Sequence, residues 1–189
     1  MIKKIVIIGP ESTGKSSLCK ALADHFADNY LTDWCPEYAR EYLIENGMDY
    51  TYEDLLTIAK GQLALEDEHA HALQTALNKS GDTTKEAILF VDTDMMVMKV
   101  WSEYVFGKCH SFILDQIAER KYDGYLLANT ELPWTRDALR EYPSEETRQK
   151  LFYMYLDMMV NQNTPWDIVG GINHDRIANG IAAVNRLLI

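Results

Sequence analysis

The stretch Ile2-Lys3-Lys4-Ile5-Val6-Ile7-Ile8 runs directly into Gly9-Pro10-Glu11-Ser12-Thr13-Gly14-Lys15-Ser16. The first part is an almost continuous apolar run, which predicts a strand buried on both faces of a parallel sheet. The second fits the phosphate-loop pattern, in which two glycines separated by four residues are followed by Lys and Ser. The glycines let the backbone curl, so that successive N–H groups face phosphate oxygens. A helix opening near Gly14 aims its positive dipole end at the same anion. The expected ATP-binding segment is therefore Gly9, Glu11, Ser12, Thr13, Gly14, Lys15, Ser16 and Ser17. Lys15 reaches the β and γ phosphates, and the Ser16 hydroxyl is a ligand for Mg²⁺.

Working outward, the whole chain has 189 residues, 47% of them hydrophobic, which suits one soluble globular domain. It has 18 Lys and Arg against 29 Asp and Glu, a net charge of −11. That balance opposes non-specific binding to nucleic acid or anionic membrane, which relies on basic side chains. No apolar run reaches the roughly 20 residues that span a bilayer, and the N-terminal apolar run is too short for a signal peptide. Cys19, Cys35 and Cys109 are odd in number and widely spaced, as in a reduced cytoplasm rather than a disulfide framework or zinc site. Oligomeric state is open, a homo-oligomer included.

After the loop, a helix carries Leu18, Ala21, Leu22 and Phe26 at helical spacing. Tyr30 to Trp34 is a short second strand. Pro36 sits in the first turn of a helix that stops at Asn46-Gly47. Thr51 and Asp54 form a capping box before a long helix ending near Ser80-Gly81. Strands are expected at Ala87 to Val91, Gly124 to Ala128 and Trp166 to Val169, with helices over Met95 to Phe106, Phe112 to Glu119, Ser144 to Val160 and Asp175 to Leu188. Asn129 to Pro143 reads as loop with one short helix. Strands alternating with helices predict an α/β fold, a P-loop NTPase with about five parallel strands flanked by helices. One domain covers 1–189, with a helical insertion at about 48–82 and a lid-like segment at about 129–148.

Ligands of open α/β sheets sit beyond the carboxyl ends of the strands, so acidic residues there matter. Asp92 ends a hydrophobic strand in the Walker B manner and is a candidate for Mg²⁺; capping the helix near Met95 is its other role. Asp94 is placed to meet a substrate hydroxyl. Glu37, beyond the second strand, can face a phosphoryl acceptor as general base. The sequence leaves the choice of base open between Glu37, Asp92 and Asp94. Arg136, Arg140 and Arg148 flank Trp134 and Asp137 in an otherwise acidic chain. In a small kinase this segment is the lid, whose arginines neutralise charge on the transferred phosphoryl group. Arg40 is a separate candidate for an anionic or hydroxylated substrate. Gly170-Gly171 is a candidate loop over the adenine base. His69 and His71, two apart on a helix, do not make a metal site. Met95, Met96 and Met98 read as core.

Gly9 to Ser16, Glu37-Tyr38-Ala39-Arg40-Glu41-Tyr42, Phe90-Val91-Asp92-Thr93-Asp94 and Trp134-x-x-Asp137-x-Leu139-Arg140 occur in that order. Together they resemble the ribosylnicotinamide kinase domain of the NadR family, and the similarity covers nearly the whole chain. The resemblance implies transfer of the ATP γ-phosphate to the 5′-hydroxyl of nicotinamide riboside, giving nicotinamide mononucleotide, with Mg²⁺ as the metal. It assigns Glu37, Tyr38 and Arg40 to the acceptor, Asp92 and Asp94 to metal and acceptor, and Arg140 to the lid, with Trp134 and Asp137 beside the substrate. The chain departs from the family in two ways. It opens at the kinase strand, so repressor and adenylyltransferase roles are not expected. Pro36 also stands where an aromatic commonly precedes the Glu-Tyr segment, with Trp34 two residues earlier.

Overall fold

The computed structural model describes residues 1–82 and 84–188. β1 (Ile2–Ile8) lies at the centre of a five-stranded sheet of order β2-β3-β1-β4-β5. The other strands are β2 (Leu31–Cys35), β3 (Ala87–Asp92), β4 (Gly124–Ala128) and β5 (Trp166–Val169). Every pairing is parallel: Ile5 stands opposite Phe90 on one side and Gly124 on the other. A parallel sheet is covered on both faces, and β1 shows why its run had to be apolar throughout. Ile5 and Ile7 point into one layer, with α1 (Lys15–Phe26) and α7 (Asn173–Leu187). Val6 and Ile8 point into the other, with α3 (Tyr52–Ser80), α4 (Met95–Phe106) and α6 (Glu145–Val160). All four side chains are fully buried, each contributing about 1.5–3 kcal/mol of transfer free energy.

A third cluster joins α2 (Tyr38–Asn46), α3, α4 and α5 (Ser111–Glu119) through Ala39, Leu55, Ile58, Met95, Met98 and Ile113. The three methionines Met95, Met96 and Met98 are buried core residues. The stretch read as a helical insertion forms α3, the longer of the two helices in the crossover from β2 to β3. This helix opens with the expected capping box of Thr51 and Asp54 and buries Leu55, Ile58, Leu63, Leu73 and Leu77. Two local expectations are corrected. Pro36 precedes α2, whose N-cap is Glu37, because the chain is still extended as it leaves β2. The segment 129–143 contains turns but no helix; side chains of other elements tie it in place.

The chain order changes direction across the sheet beside β1, between β3 and β4. That is where open parallel sheets bind ligands, and the carboxyl ends of β1, β2, β3 and β4 converge there. Among the described residues no helix is long and apolar enough to cross a membrane.

Candidate active site

The loop after β1 has positive φ at Gly9 (139°), Ser12 (58°) and Gly14 (73°). This alternation turns its N–H groups into one concavity, an anion nest at the N-terminus of α1. Gly9 is obligatory on space as well as on φ: a Cβ there would lie 2.8 Å from the Ala128 carbonyl oxygen. Thr13 is fully buried and donates from Oγ1 to the Pro10 carbonyl at 2.7 Å, so it pins the loop instead of facing the cavity. Lys15 Nζ donates to the same carbonyl at 3.1 Å.

Beside the loop opens a cavity of about 440 Å³. Gly9, Glu11, Ser12, Gly14, Lys15, Ser16 and Ser17 form one wall. Glu37, Arg40, Asp137 and Arg140 join them from α2 and from the 129–143 segment. The remaining wall was not legible beforehand: Val97, Trp101 and Tyr104 from α4, Tyr155 from α6, and Tyr142. Their signal in the sequence was one helical face of α4, at spacings of three and four, that is aromatic as well as apolar.

Three carboxyls lie at the strand ends, and their environments differ. Asp92 is fully buried and accepts a short hydrogen bond from the Ser16 hydroxyl. Burial raises its pKa, while Lys15, Ser16 and Thr93 pull it down. Glu37 N-caps α2 without a side-chain cap bond, which leaves its carboxyl free for the cavity. Burial, then the nearby Asp92 charge, raise its pKa, against Lys15 and Arg40. Asp94 does not line the cavity. It caps α4, accepting from the Met96 and Val97 N–H groups at 2.9 and 3.3 Å, and accepts from the Tyr125 hydroxyl at 3.0 Å. Burial pushes its pKa up to about 7. The cap considered for Asp92 thus belongs to Asp94, and the expected contact of Asp94 with substrate is replaced by a buried structural role. Between them Thr93 adopts φ 78°, a strained state for a β-branched residue at roughly 1–2 kcal/mol. That turn sends one carboxylate to the loop and the next to the helix.

Other expected site residues are also redistributed. Tyr38 packs on Tyr42 and Gly61 rather than in the cavity. Trp134 donates from Nε1 to Glu11 at 3.0 Å, outside the lining. Arg136 is exposed on the lid segment. Arg148 is 3% exposed and donates to the carbonyls of Ser12, Thr130 and Leu132 at 3.4, 3.3 and 2.8 Å. It is a buried staple on α6, not a mobile lid arginine. Trp34 packs with the α1 cluster, on the sheet face away from the cavity wall formed by α4 and α6. Near the loop after β5, Gly171 (φ 90°) donates its N–H to Glu131, and Arg176 donates to the Gly171 and Asn129 carbonyls at 2.9 and 2.7 Å. His69 pairs with Asp33 at 2.6 Å.

The donor set suits Mg²⁺. Ser16 and Asp92 bring hard oxygens together at the phosphate loop, and Mg²⁺ commonly uses one or two protein oxygens with substrate phosphates and water. Among the described residues no cluster of three or more His, Cys, Asp or Glu side chains could hold a metal by itself.

Comparisons agree with this architecture. The trifunctional NAD biosynthesis/regulator protein NadR of Salmonella typhimurium strain LT2 is 27% identical over 178 residues, 92% of this chain and 40% of that protein. NadR of Escherichia coli strain K12 is 28% identical over 166 residues, 86% of this chain and 37% of that protein. The chain thus spans well under half the length of these relatives. A crystal structure of NadR protein in complex with NR superposes with TM-score 0.74 at 21% identity, covering 98% of this chain and 49% of that one. Thymidylate kinase from Ehrlichia chaffeensis superposes with TM-score 0.62 at 14% identity, covering 100% and 99%. Both share the five-stranded parallel P-loop fold described above. A profile of the AAA domain family matches residues 4–176, nearly the entire chain, and this chain, with its phosphate loop after β1, belongs to that family.

Proposed function

We propose that the chain is an ATP- and Mg²⁺-dependent kinase acting on the 5′-hydroxyl of a nucleoside, with nicotinamide riboside as acceptor. The observation that carries the reading is the placement of Glu37 in one cavity with Lys15 and the phosphate loop, beside Asp92. Its raised pKa moves it toward the range that suits a general base near neutral pH. Glu37 takes the proton of the acceptor hydroxyl as the oxygen bonds to the γ-phosphorus, and the bond from that phosphorus to the bridging oxygen breaks, releasing ADP. Lys15 and Arg140 offset charge on the transferring group. Ser16 and Asp92 would hold Mg²⁺, which when bound neutralises the β and γ phosphates.

The acceptor assignment draws on the aromatic part of the cavity lining. Trp101, Tyr104 and Tyr142 line the cavity with aromatic side chains, and Glu141 is a lining carboxylate residue. The nicotinamide ring of the riboside is a permanent cation, and aromatic faces with a nearby carboxylate favour such a ring. The NadR relatives are named for NAD biosynthesis, and NadR crystal structures hold NR in one case and NAD with AMP-PNP in another. The test is incubation with Mg·ATP and a nucleoside panel, with products read by mass. Nicotinamide mononucleotide is the expected product. Phosphorylation of a different nucleoside overturns the acceptor, and ATP turnover indifferent to every nucleoside replaces the kinase by an ATPase.

A further inference from the structure

A carboxylate in an anion-binding loop needs a reason, because it opposes phosphate unless its charge is occupied. Glu11 is such a residue, and its oxygens are occupied by one segment. Oε1 accepts from Trp134 Nε1 at 3.0 Å and from the Tyr142 N–H at 2.7 Å. Oε2 accepts from the Glu141 N–H at 3.0 Å. The adjacent Ser12 Oγ accepts from the Thr135 N–H at 3.0 Å. All these donors lie in residues 134–142, a stretch without helix or strand. Its backbone groups cannot satisfy one another in a ladder, so side chains from elsewhere must fix it. The same stretch supplies Asp137, Leu139, Arg140, Glu141 and Tyr142 to the cavity wall.

We infer that Glu11 is a positioning residue: its carboxylate fixes the acceptor wall to the phosphate loop, acting on the acceptor through residues 134–142. Bonds to an ionised acceptor are shorter and stronger than neutral ones, and Glu11 joins parts of the chain 123 to 131 residues apart. One anchor therefore sets both the phosphate loop and the wall at their working separation. The kinetic half of the inference rests on the kinase reading; the structural half does not.

Two variants test it by amide exchange resolved residue by residue in NMR. Glu11→Ala should speed exchange at the Glu141 and Tyr142 amides by about tenfold or more, with β1 amides unchanged. Glu11→Gln keeps one oxygen able to accept and replaces the other by a donor. It should hold Tyr142 and Trp134 and release Glu141 alone. With acceptor present, Glu11→Ala should raise the acceptor KM by roughly tenfold and the ATP KM much less, as for misplaced substrate groups. Unchanged exchange at both amides in Glu11→Ala overturns the inference, as does an equal rise in the two KM values, which marks direct contact with nucleotide. If Glu11→Ala loses β1 protection and is unfolded, Glu11→Gln decides: an unchanged Glu141 amide overturns the inference. A wild-type protein that phosphorylates no nucleoside defeats the kinase reading and leaves the exchange experiment to judge Glu11.

Discussion

Arg40 on α2 and Asp137 in the 129–143 segment form an ion pair at 2.7 Å, joining two walls of the cavity across 97 residues of sequence. Both were expected to meet substrate, and both line the cavity. They also hold each other, and Arg40 keeps the Asp137 carboxyl below the usual carboxylate range. The pair links α2 to the 129–143 segment, and Tyr50 adds a second link to that segment by donating to Glu141 at 2.8 Å.

Arg40→Ala should therefore act on the acceptor more than on the fold. The Arg40 side chain is 52% exposed and that of Asp137 22%, and exposed pairs contribute about 0–1 kcal/mol to stability. Chemical denaturation should show a loss within that range, while acceptor titration shows a higher KM. A double variant with Asp137→Asn should add little to either single effect. Additive losses in KM would assign the two residues to independent contacts.

Lys15→Ala should leave the fold intact, because among the described residues the Lys15 side chain is hydrogen-bonded only to the Pro10 carbonyl. Turnover should fall by at least about 10²-fold, the scale for removing a charge-stabilising group. Circular dichroism and product formation check the two halves, and normal turnover would remove the phosphate loop from the mechanism.

Asp92→Asn should weaken the Mg²⁺ dependence and the rate together, since the carboxylate is bonded to Ser16 at the position proposed for the metal. Ser16→Ala should shift the Mg²⁺ titration in the same direction. An unchanged Mg²⁺ profile in both variants makes the pair a structural contact.

Gly9→Ala should be among the most damaging single-methyl changes in the chain. The new Cβ meets backbone, the Ala128 carbonyl oxygen at 2.8 Å, and φ 139° is itself unsuited to a side chain. Alanine at an incompatible φ destabilises by more than about 1 kcal/mol. Denaturant midpoints should fall, and nucleotide affinity should fall with them.

Stability should decline above pH 9 in part through Cys35. The thiol is fully buried, and burial pushes its pKa from 9.0 up to about 12. In that window the unfolded chain releases the proton and the folded chain keeps it, so unfolding gains on folding as pH rises. By pH 11 this amounts to on the order of 1–3 kcal/mol. Cys35→Ala removes that slope. The stability difference between variant and wild type should therefore shift in favour of the variant between pH 8 and pH 11. A constant difference across that range would show that the thiol does not titrate there.

Much of this protein is legible in its local sequence. The strand Ile5 to Ile8, the glycine spacing at Gly9 and Gly14, and the capping box at Thr51 and Asp54 depend on neighbours along the chain, and each forms as read. The helix expected within 129–143 does not form, because that segment is held by Glu11 and Ser12 from far away in sequence. Arg148 looked like a lid arginine because its local context is charged, while its carbonyl partners lie at the start of the same segment and in the phosphate loop 136 residues away.

The amino-acid sequence by itself determined the parallel sheet, the phosphate loop and the set of carboxylates at the strand ends. These follow from periodicity, φ requirements and spacing, which are properties of adjacent residues. Only the tertiary structure decided how the carboxylates divide their roles. Asp92 turns to Ser16, Asp94 is buried under α4 as its cap, and Glu37 alone keeps its carboxyl in the cavity. The same holds for the aromatic wall as a whole, since Trp101 and Tyr104 of α4 meet Tyr142 and Tyr155 from two other segments. Burial and hydrogen-bond partners are set by which elements pack together, and no short window of sequence contains that information.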